Sequence, residues 1–308
     1  MKLIIQPEAG IVPIVKAIKT AKKSIDIMIF RFDRDEIEKA LASAVQRGVT
    51  VRALIAHTNR GGEITLRKLE QRLLATGVLV SRTADDLLRY HAKYMVADSV
   101  LHLFGFNFTK LDIDKSRSFA ISTKDGKAVA EAVKLFESDL SRQTYVPGKS
   151  HLVVSPDNSR AMLSTFICGA RKELAIYDGN VKDPSMIKLL KERAAKGVKV
   201  RIIGSMKGRD PLIAERRLAG LRLHVRAIVR DGTSAFVGSQ SLRKDELENR
   251  REVGLIINNP TVAKKLLSVF DTDWQDSKKG AKEKDKDAKD KDTKAKAPKA
   301  KDAKKRAA

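Results

Sequence analysis

The chain has 308 residues, 42% of them hydrophobic, and carries 62 Lys and Arg against 38 Asp and Glu, a formal charge of +24. That length suffices for two domains with their own cores, and the charge points to a phosphate-bearing or polyanionic partner. Apolar runs such as Ile27 to Phe30 are far too short to span a bilayer, the segment from Met1 to Pro7 reads as a strand rather than a signal peptide, and the single cysteine, Cys168, excludes an intramolecular disulfide.

Strands and helices alternate along the chain, which predicts an α/β fold. The first half reads as strand 2–6, helix 10–21, strand 24–30, helix 34–47, strand 49–56, helix 64–75 and a strand near 77–81. A hairpin over 91–107, a strand at 117–122 and a helix at 126–143 follow, and Val146-Pro147-Gly148 punctuates the chain. The second half repeats the order: strand 151–155, helix 159–171, strand 173–178, helix 184–196, strand 198–204, helix 211–219, hairpin 222–238, strand 252–257 and helix 260–275. Asp98-Ser99 and Asp231-Gly232 are suitable hairpin turns. Cys168 falls in a helical pattern and reads as a small core residue. Residues 277–308 hold 14 Lys or Arg and 6 Asp or Glu with almost nothing apolar beyond Ala, so a disordered tail is expected there. The remaining surplus of +16 lies on the body.

Two stretches share one arrangement: His91-Ala92-Lys93 with Asp98, and His224-Val225-Arg226 with Asp231. In a strand, residues two apart share a face, so each His points with its cation. A His beside a fixed cation suits the holding and attack of a phosphate. The repeat extends further. Ala21-Lys22-Lys23-Ser24 matches Ala170-Arg171-Lys172-Glu173, and Arg47-Gly48-Val49-Thr50-Val51-Arg52 matches Lys196-Gly197-Val198-Lys199-Val200-Arg201, both at an offset of 149 residues. The two His and the two Asp are offset by 133, so the second half lacks 16 residues between its Arg201 strand and its His224 strand. Similarity at this period indicates duplicated domains, at 1–148 and 149–276, rather than a solenoid.

This pattern resembles the phospholipase D superfamily, whose signature is H-x-K-x4-D followed by G-S-x-N. The second copy continues with Gly238-Ser239-Gln240-Ser241; the first continues with Gly105-Phe106-Asn107, one residue nearer its Asp. The resemblance covers roughly residues 1–276. It implies two phospholipase D-like domains, each a mixed sheet flanked by helices, related by a pseudo-twofold axis. It further implies a phosphodiesterase or phosphatidyltransferase that acts on phospholipid through a phosphohistidine, without metal or cofactor. By this resemblance His91 and His224 are nucleophile and acid/base, with His91 favoured as nucleophile. Lys93 and Arg226 would neutralise the phosphate oxygens, and Asn107 and Ser239 would donate to them. Glu252 would orient His224, leaving His91 a hydroxyl, or Asp112 or Asp114 if one reaches it.

Asp98 and Asp231 read equally as turn-holding residues or substrate contacts, the former as ion pairs to Arg117 and Arg251. His57, His102 and His151 have no duplicated partner and read as ordinary, with His57 marginal for its place at a strand end. Arg226 in place of Lys and Ser241 in place of Asn leave room for a weakened, phosphate-binding module. The +16 body leaves room for a nuclease of the same superfamily, although only 5% aromatic residues argue against a base-stacking platform. The expected protein is a cytoplasmic monomer, able to lie at an anionic membrane or on nucleic acid through its basic body and tail.

Overall fold

The computed structural model describes residues 1–58 and 63–295, with side chains described up to Ser277. The first half runs β1 (Lys2–Gln6), α1 (Val12–Thr20), β2 (Ser24–Ile29), α2 (Asp35–Gln46), β3 (Thr50–Ile55), α3 (Glu63–Ala75), β4 (Leu79–Arg82), β5 (Arg89–Tyr90), β6 (Tyr94–Ala97), β7 (Val100–Phe104), α4 (Lys110–Asp114), β8 (Ser116–Thr123) and α5 (Gly126–Ser141). The second runs β9 (Leu152–Ser155), α6 (Ser159–Cys168), β10 (Glu173–Val181), α7 (Pro184–Ala195), β11 (Lys199–Met206), β12 (Ile213–Arg216), β13 (Arg222–Leu223), β14 (Arg226–Arg230), β15 (Ser234–Gly238), α8 (Lys244–Glu248), β16 (Arg250–Ile257) and α9 (Pro260–Ala295). Among the described residues no helix is long and apolar enough to cross a membrane.

Each half builds the same mixed sheet, in the order β4-β3-β2-β6-β7-β8-β1 and β12-β11-β10-β14-β15-β16-β9. Parallel pairing of β2, β3 and β4, and of β10, β11 and β12, follows from their helical crossovers in the first half and the β10–β11 pair. The strands are apolar on both faces because each sheet is covered on both sides. One core lies outside the first sheet, under α1, α2 and α3 (Ile18, Leu41, Leu69), and one outside the second, under α6 and α7 (Leu163, Leu190). A third joins the halves and holds Tyr94, Phe119, Leu135 and Phe136 with Tyr177, Val225, Phe270 and Trp274. Burial on this scale, about 25 cal/mol per Å2 of apolar area, locks the two sheets in one orientation.

Three expectations are corrected here. The segment 211–219 is not a helix: β12 occupies Ile213–Arg216, and the 16 residues missing from the second half correspond to α3. Cys168, at the end of α6, is exposed rather than in the core. The last helix does not stop near 275 but continues to Ala295, because Ala, Lys and Glu favour helix even where nothing apolar is available to pack. The remainder of the expected tail, 296–308, lies outside the described residues.

Candidate active site

The two hairpins that follow the histidines are β6–β7 and β14–β15, and their turns explain the two aspartates. Asp98 and Asp231 adopt left-handed backbone angles (φ 51° and 54°) at the turn, a conformation that Asp tolerates better than most residues. The Asp98 carboxylate accepts the backbone N–H groups of Lys22, Lys23 and Ser24 at 2.8–3.3 Å, and Asp231 accepts those of Arg171, Lys172 and Glu173 at 2.7–3.2 Å. Burial acts against their charge, but these donors outweigh it and hold both carboxyls below the usual range. Each Asp thus ties its hairpin to the start of the neighbouring strand.

The expected ion pairs from Arg117 and Arg251 to these aspartates do not form. Arg117 instead bonds Asp273 of α9 at 2.8 and 3.1 Å, Glu8, and the Gln6 carbonyl. Its counterpart Arg251 bonds Asp139 of α5, Asp157 and the Ser155 carbonyl. These duplicated buried clusters fasten each C-terminal helix beneath the site.

The segments before the two histidines cross between the halves. β5 pairs with β16 of the second half, and His91 N–H donates to the Arg251 carbonyl at 2.8 Å. β13 pairs with β8 of the first half, and His224 N–H donates to the Arg117 carbonyl at 3.2 Å. Each histidine therefore reaches the carboxylate of the other half. Glu252, fully buried, places Oε2 2.8 Å from His91 Nδ1. Asp112, on α4, places Oδ2 3.2 Å from His224 Nδ1, within ion-contact range but off the line of a hydrogen bond. The expectation that Glu252 orients His224 is thus corrected: the strand crossing hands it to His91. His224 takes Asp112, which also accepts Arg222 at 2.5 Å and the Asn107 side-chain amide at 2.6 Å. Asp114 is elsewhere, paired with Arg34.

Lys93 is buried, with Nζ 2.9 Å from both ring nitrogens of His91. Burial lowers its pKa to about 7, against the pull of Glu252 and with help from Arg226. Burial likewise raises the Glu252 carboxyl to about 7 despite Lys93 and the Ser239 hydroxyl. Both imidazoles are held well below their ordinary range, by burial first and then by cations; Lys93 and Arg226 act on both rings, so the two histidines share one electrostatic site. At His224 the Asp112 charge opposes this shift. Burial favours neutral Asp112, but His224 and the Asn107 and Arg222 bonds outweigh it and keep the carboxyl low. The two carboxylates therefore differ: Asp112 is held firmly charged, whereas the Glu252 carboxyl exchanges its proton near neutral pH.

The hairpins differ by one turn residue, two between β6 and β7 against three between β14 and β15. Register then puts Asn107 at the position of Ser241 and Gly105 at that of Ser239, as the bonds of Gly105 N–H to the Phe119 carbonyl and Ser239 N–H to the Val253 carbonyl show. A Cβ on Gly105 would lie 3.0 Å from the Phe119 carbonyl and 3.2 Å from that of Gly238, so the two hairpins meet where no side chain fits. The Ser239 hydroxyl exchanges bonds with the Val253 backbone, and Ser241 binds Asp178. Buried Asn107 Oδ1 and Arg226 Nε make no hydrogen bond among the described residues, and Arg226 Nε is a donor left available to a ligand. His102 and His151 take no part in this cluster; His102 bonds Ser122 and burial lowers it to about 4, while His57 lines a cavity with Thr83, Arg89 and Tyr90, just ahead of His91 in the chain. Asp112 was named in the sequence only beside His91, and Arg222 and Phe30 were not singled out. Phe30 packs edge-on against His91, ring centres 4.5 Å apart.

Two duplicated half-sites, each presenting His, a cation and a carboxylate borrowed from the other half, together form one two-histidine cluster. The family model described as "Cardiolipin synthase, PLD-like domain" matches residues 14–140 and 163–274, and the chain belongs to this family of phospholipase D-like proteins. Over 163 residues it is 26% identical to the human (Homo sapiens) protein named mitochondrial cardiolipin hydrolase, a match that covers 50% of this chain and 62% of that one. The polyphosphate kinase from Porphyromonas gingivalis superposes with a TM-score of 0.72 at 19% identity, over 88% of this chain and 49% of that chain. The phosphatidylserine synthase of Haemophilus influenzae superposes with 0.63 at 12% identity, over 89% and 85%. At these identities the two structures speak for the fold alone. The chain spans about half to three-fifths of the length of the kinase and the hydrolase.

Proposed function

We propose that the protein is a phospholipase D-type phosphodiesterase or phosphatidyltransferase acting on phospholipid, with His91 as nucleophile and His224 as general acid and base. The observation that carries this reading is the crossed pairing of each histidine with a buried carboxylate around Lys93 and Arg226. Glu252 fixes the proton of His91 on Nδ1, which leaves the Nε2 lone pair for phosphorus. Asp112 carries the firmer negative charge, so His224 is the ring better able to bear the proton once an anionic phosphate has entered.

In the first step Nε2 of His91 forms a bond to phosphorus while the bond to the leaving alcohol's oxygen breaks, and His224 gives its proton to that oxygen. In the second, water or an acceptor alcohol attacks phosphorus, gives its proton to His224, and displaces His91. Lys93 and Arg226 stabilise the charge on the non-bridging oxygens in both transition states, joined by Asn107 and Ser239 if phosphate entry frees their donors. Leu88, three residues before His91, and Leu111, next to Asp112, are exposed apolar residues near the site in sequence; they favour a lipid, as do the family's description and the name of the human relative. The +16 body favours a second reading, a nuclease. Incubation with a short-chain phospholipid and a single-stranded oligonucleotide side by side should release phosphatidate or transfer product from the lipid; cleavage of the oligonucleotide alone would replace the first reading with the second.

A further inference from the structure

The two halves diverge beside their histidines. Phe30 directly follows β2 and closes against His91. Its counterpart at the 149-residue offset is Gly179 in β10, where an added Cβ would meet only Leu223 Cδ2, at 4.0 Å. Leu223 directly precedes His224. The Gly179 carbonyl accepts the Ser205 hydroxyl at 2.8 Å, and Ser205 lines a cavity of about 670 Å3 at the ends of β11 and β12. The cavity at the matching place in the first half, bounded by Thr83 and Tyr90, is about 280 Å3.

The large cavity has a surplus of available positive charge. Its acids are engaged: Asp210 accepts Leu212 N–H and faces Lys191, and Glu215 accepts Met206 N–H. Arg216 is also engaged, bonded to the Trp274 carbonyl at 2.6 Å and lying over its ring at 4.1 Å. Arg209 and Arg217 line the cavity, are exposed, and have no carboxylate partner among the described residues. Gly204, at the cavity floor, pairs with Asp178 of β10, and β10 pairs with β14, which begins at Arg226. Two strand spacings, roughly 10 Å, thus separate the phosphate site from the floor of this cavity.

Direction follows from in-line displacement: with His91 attacking, the leaving alcohol departs on the side of His224, beside which Gly179 leaves the space that Phe30 fills in the first half. We propose that the cavity is a second phosphate subsite, in which Arg209 and Arg217 hold a phosphomonoester carried by the leaving alcohol. The substrate class is then a phospholipid with a phosphorylated polyol head group. Two guanidiniums match the dianion of a monoester better than the single charge of a diester. The assignment of the alcohol rests on the two-histidine reading; the binding of a monoester does not.

The test uses the full chain and the double variant Arg209→Ala/Arg217→Ala, both substitutions being at exposed positions. Two soluble lipids, dihexanoyl phosphatidylglycerol phosphate and dihexanoyl phosphatidylglycerol, are compared as substrates. The double variant should raise KM for the first by about tenfold or more, as loss of charge-assisted bonds does, with kcat and the kinetics of the second unchanged. Equal effects on both lipids, or on neither, overturn the proposal. Calorimetric titration with glycerol 3-phosphate separates the two claims. Binding that survives His224→Ala and is lost in the double variant supports the subsite even in a chain that hydrolyses no diester. Binding that the double variant leaves intact, or no binding at all, overturns it even in a chain that does.

Discussion

Replacing Glu252 by Gln keeps shape and removes charge at the group that faces His91. The carboxylate is fully buried and 2.8 Å from Nδ1. A hydrogen bond to a charged group contributes about 1.5–3 kcal/mol, and its loss in the transition state alone would slow turnover by roughly 10- to 150-fold. A second effect adds to the first. Glu252 is the anion that holds the Lys93 pKa up to about 7, so its neutralisation lets the ammonium lose its proton at neutral pH, and the phosphate clamp weakens. Together the two losses predict a fall in kcat of roughly a hundred- to a thousandfold. The assay is steady-state hydrolysis of bis(p-nitrophenyl) phosphate, with circular dichroism to confirm folding. A folded Glu252→Gln protein with kcat within about threefold of the parent would refute the assignment of Glu252 as the group that orients His91.

Asp112→Asn should act on the other half of the reaction. It should cost little with p-nitrophenol as leaving group and on the order of a hundredfold with an alkyl ester, which needs its proton from His224; equal losses on both would contradict that role. Lys93 has a depressed folded pKa of about 7, so kcat/KM of the free enzyme should fall as pH rises through that value and the ammonium is lost. Lys93→Arg, charged throughout, should remove that alkaline fall, and an unchanged pH profile would show that another group titrates. Arg226→Ala should reduce kcat by about a hundredfold, as removal of one transition-state donor does; near-parent activity would assign Arg226 to structure. Asp98→Ala deletes a carboxylate that accepts three backbone N–H groups and should cost about 2 kcal/mol of stability in a denaturant titration. Its kcat should stay near that of the parent, and a selective loss of kcat would place Asp98 in the chemistry.

The duplication was legible because repeated strand and helix patterns sit at an offset of 149 residues that drops once, to 133, and every described strand of the first half has its counterpart in the second. The histidines and their cations were legible because a strand's period of two is visible in sequence. The carboxylate pairing was not. Glu252 follows the second hairpin in sequence, yet β5 and β13 each cross to the other sheet, and two-residue strands leave no trace in hydrophobic periodicity. Asp112 was hidden for the same reason: its partner His224 lies 112 residues away. The loss of α3 was visible as missing length, but 211–219 still read as a helix because its composition suits one and only pairing with β11 makes it a strand. The Arg117 and Arg251 clusters depend on Asp273 and Asp139, which lie 156 and 112 residues away in the chain.

The most direct measurement of the two-histidine claim is isolation of the covalent intermediate. The full chain, with chelator present, is mixed with a phosphodiester labelled in its retained portion, quenched in alkali and mapped by mass spectrometry. The account predicts an alkali-stable, acid-labile phospho-adduct on His91 that is absent from His91→Ala. An adduct on His224, or turnover that chelator abolishes and that leaves no adduct, would contradict it.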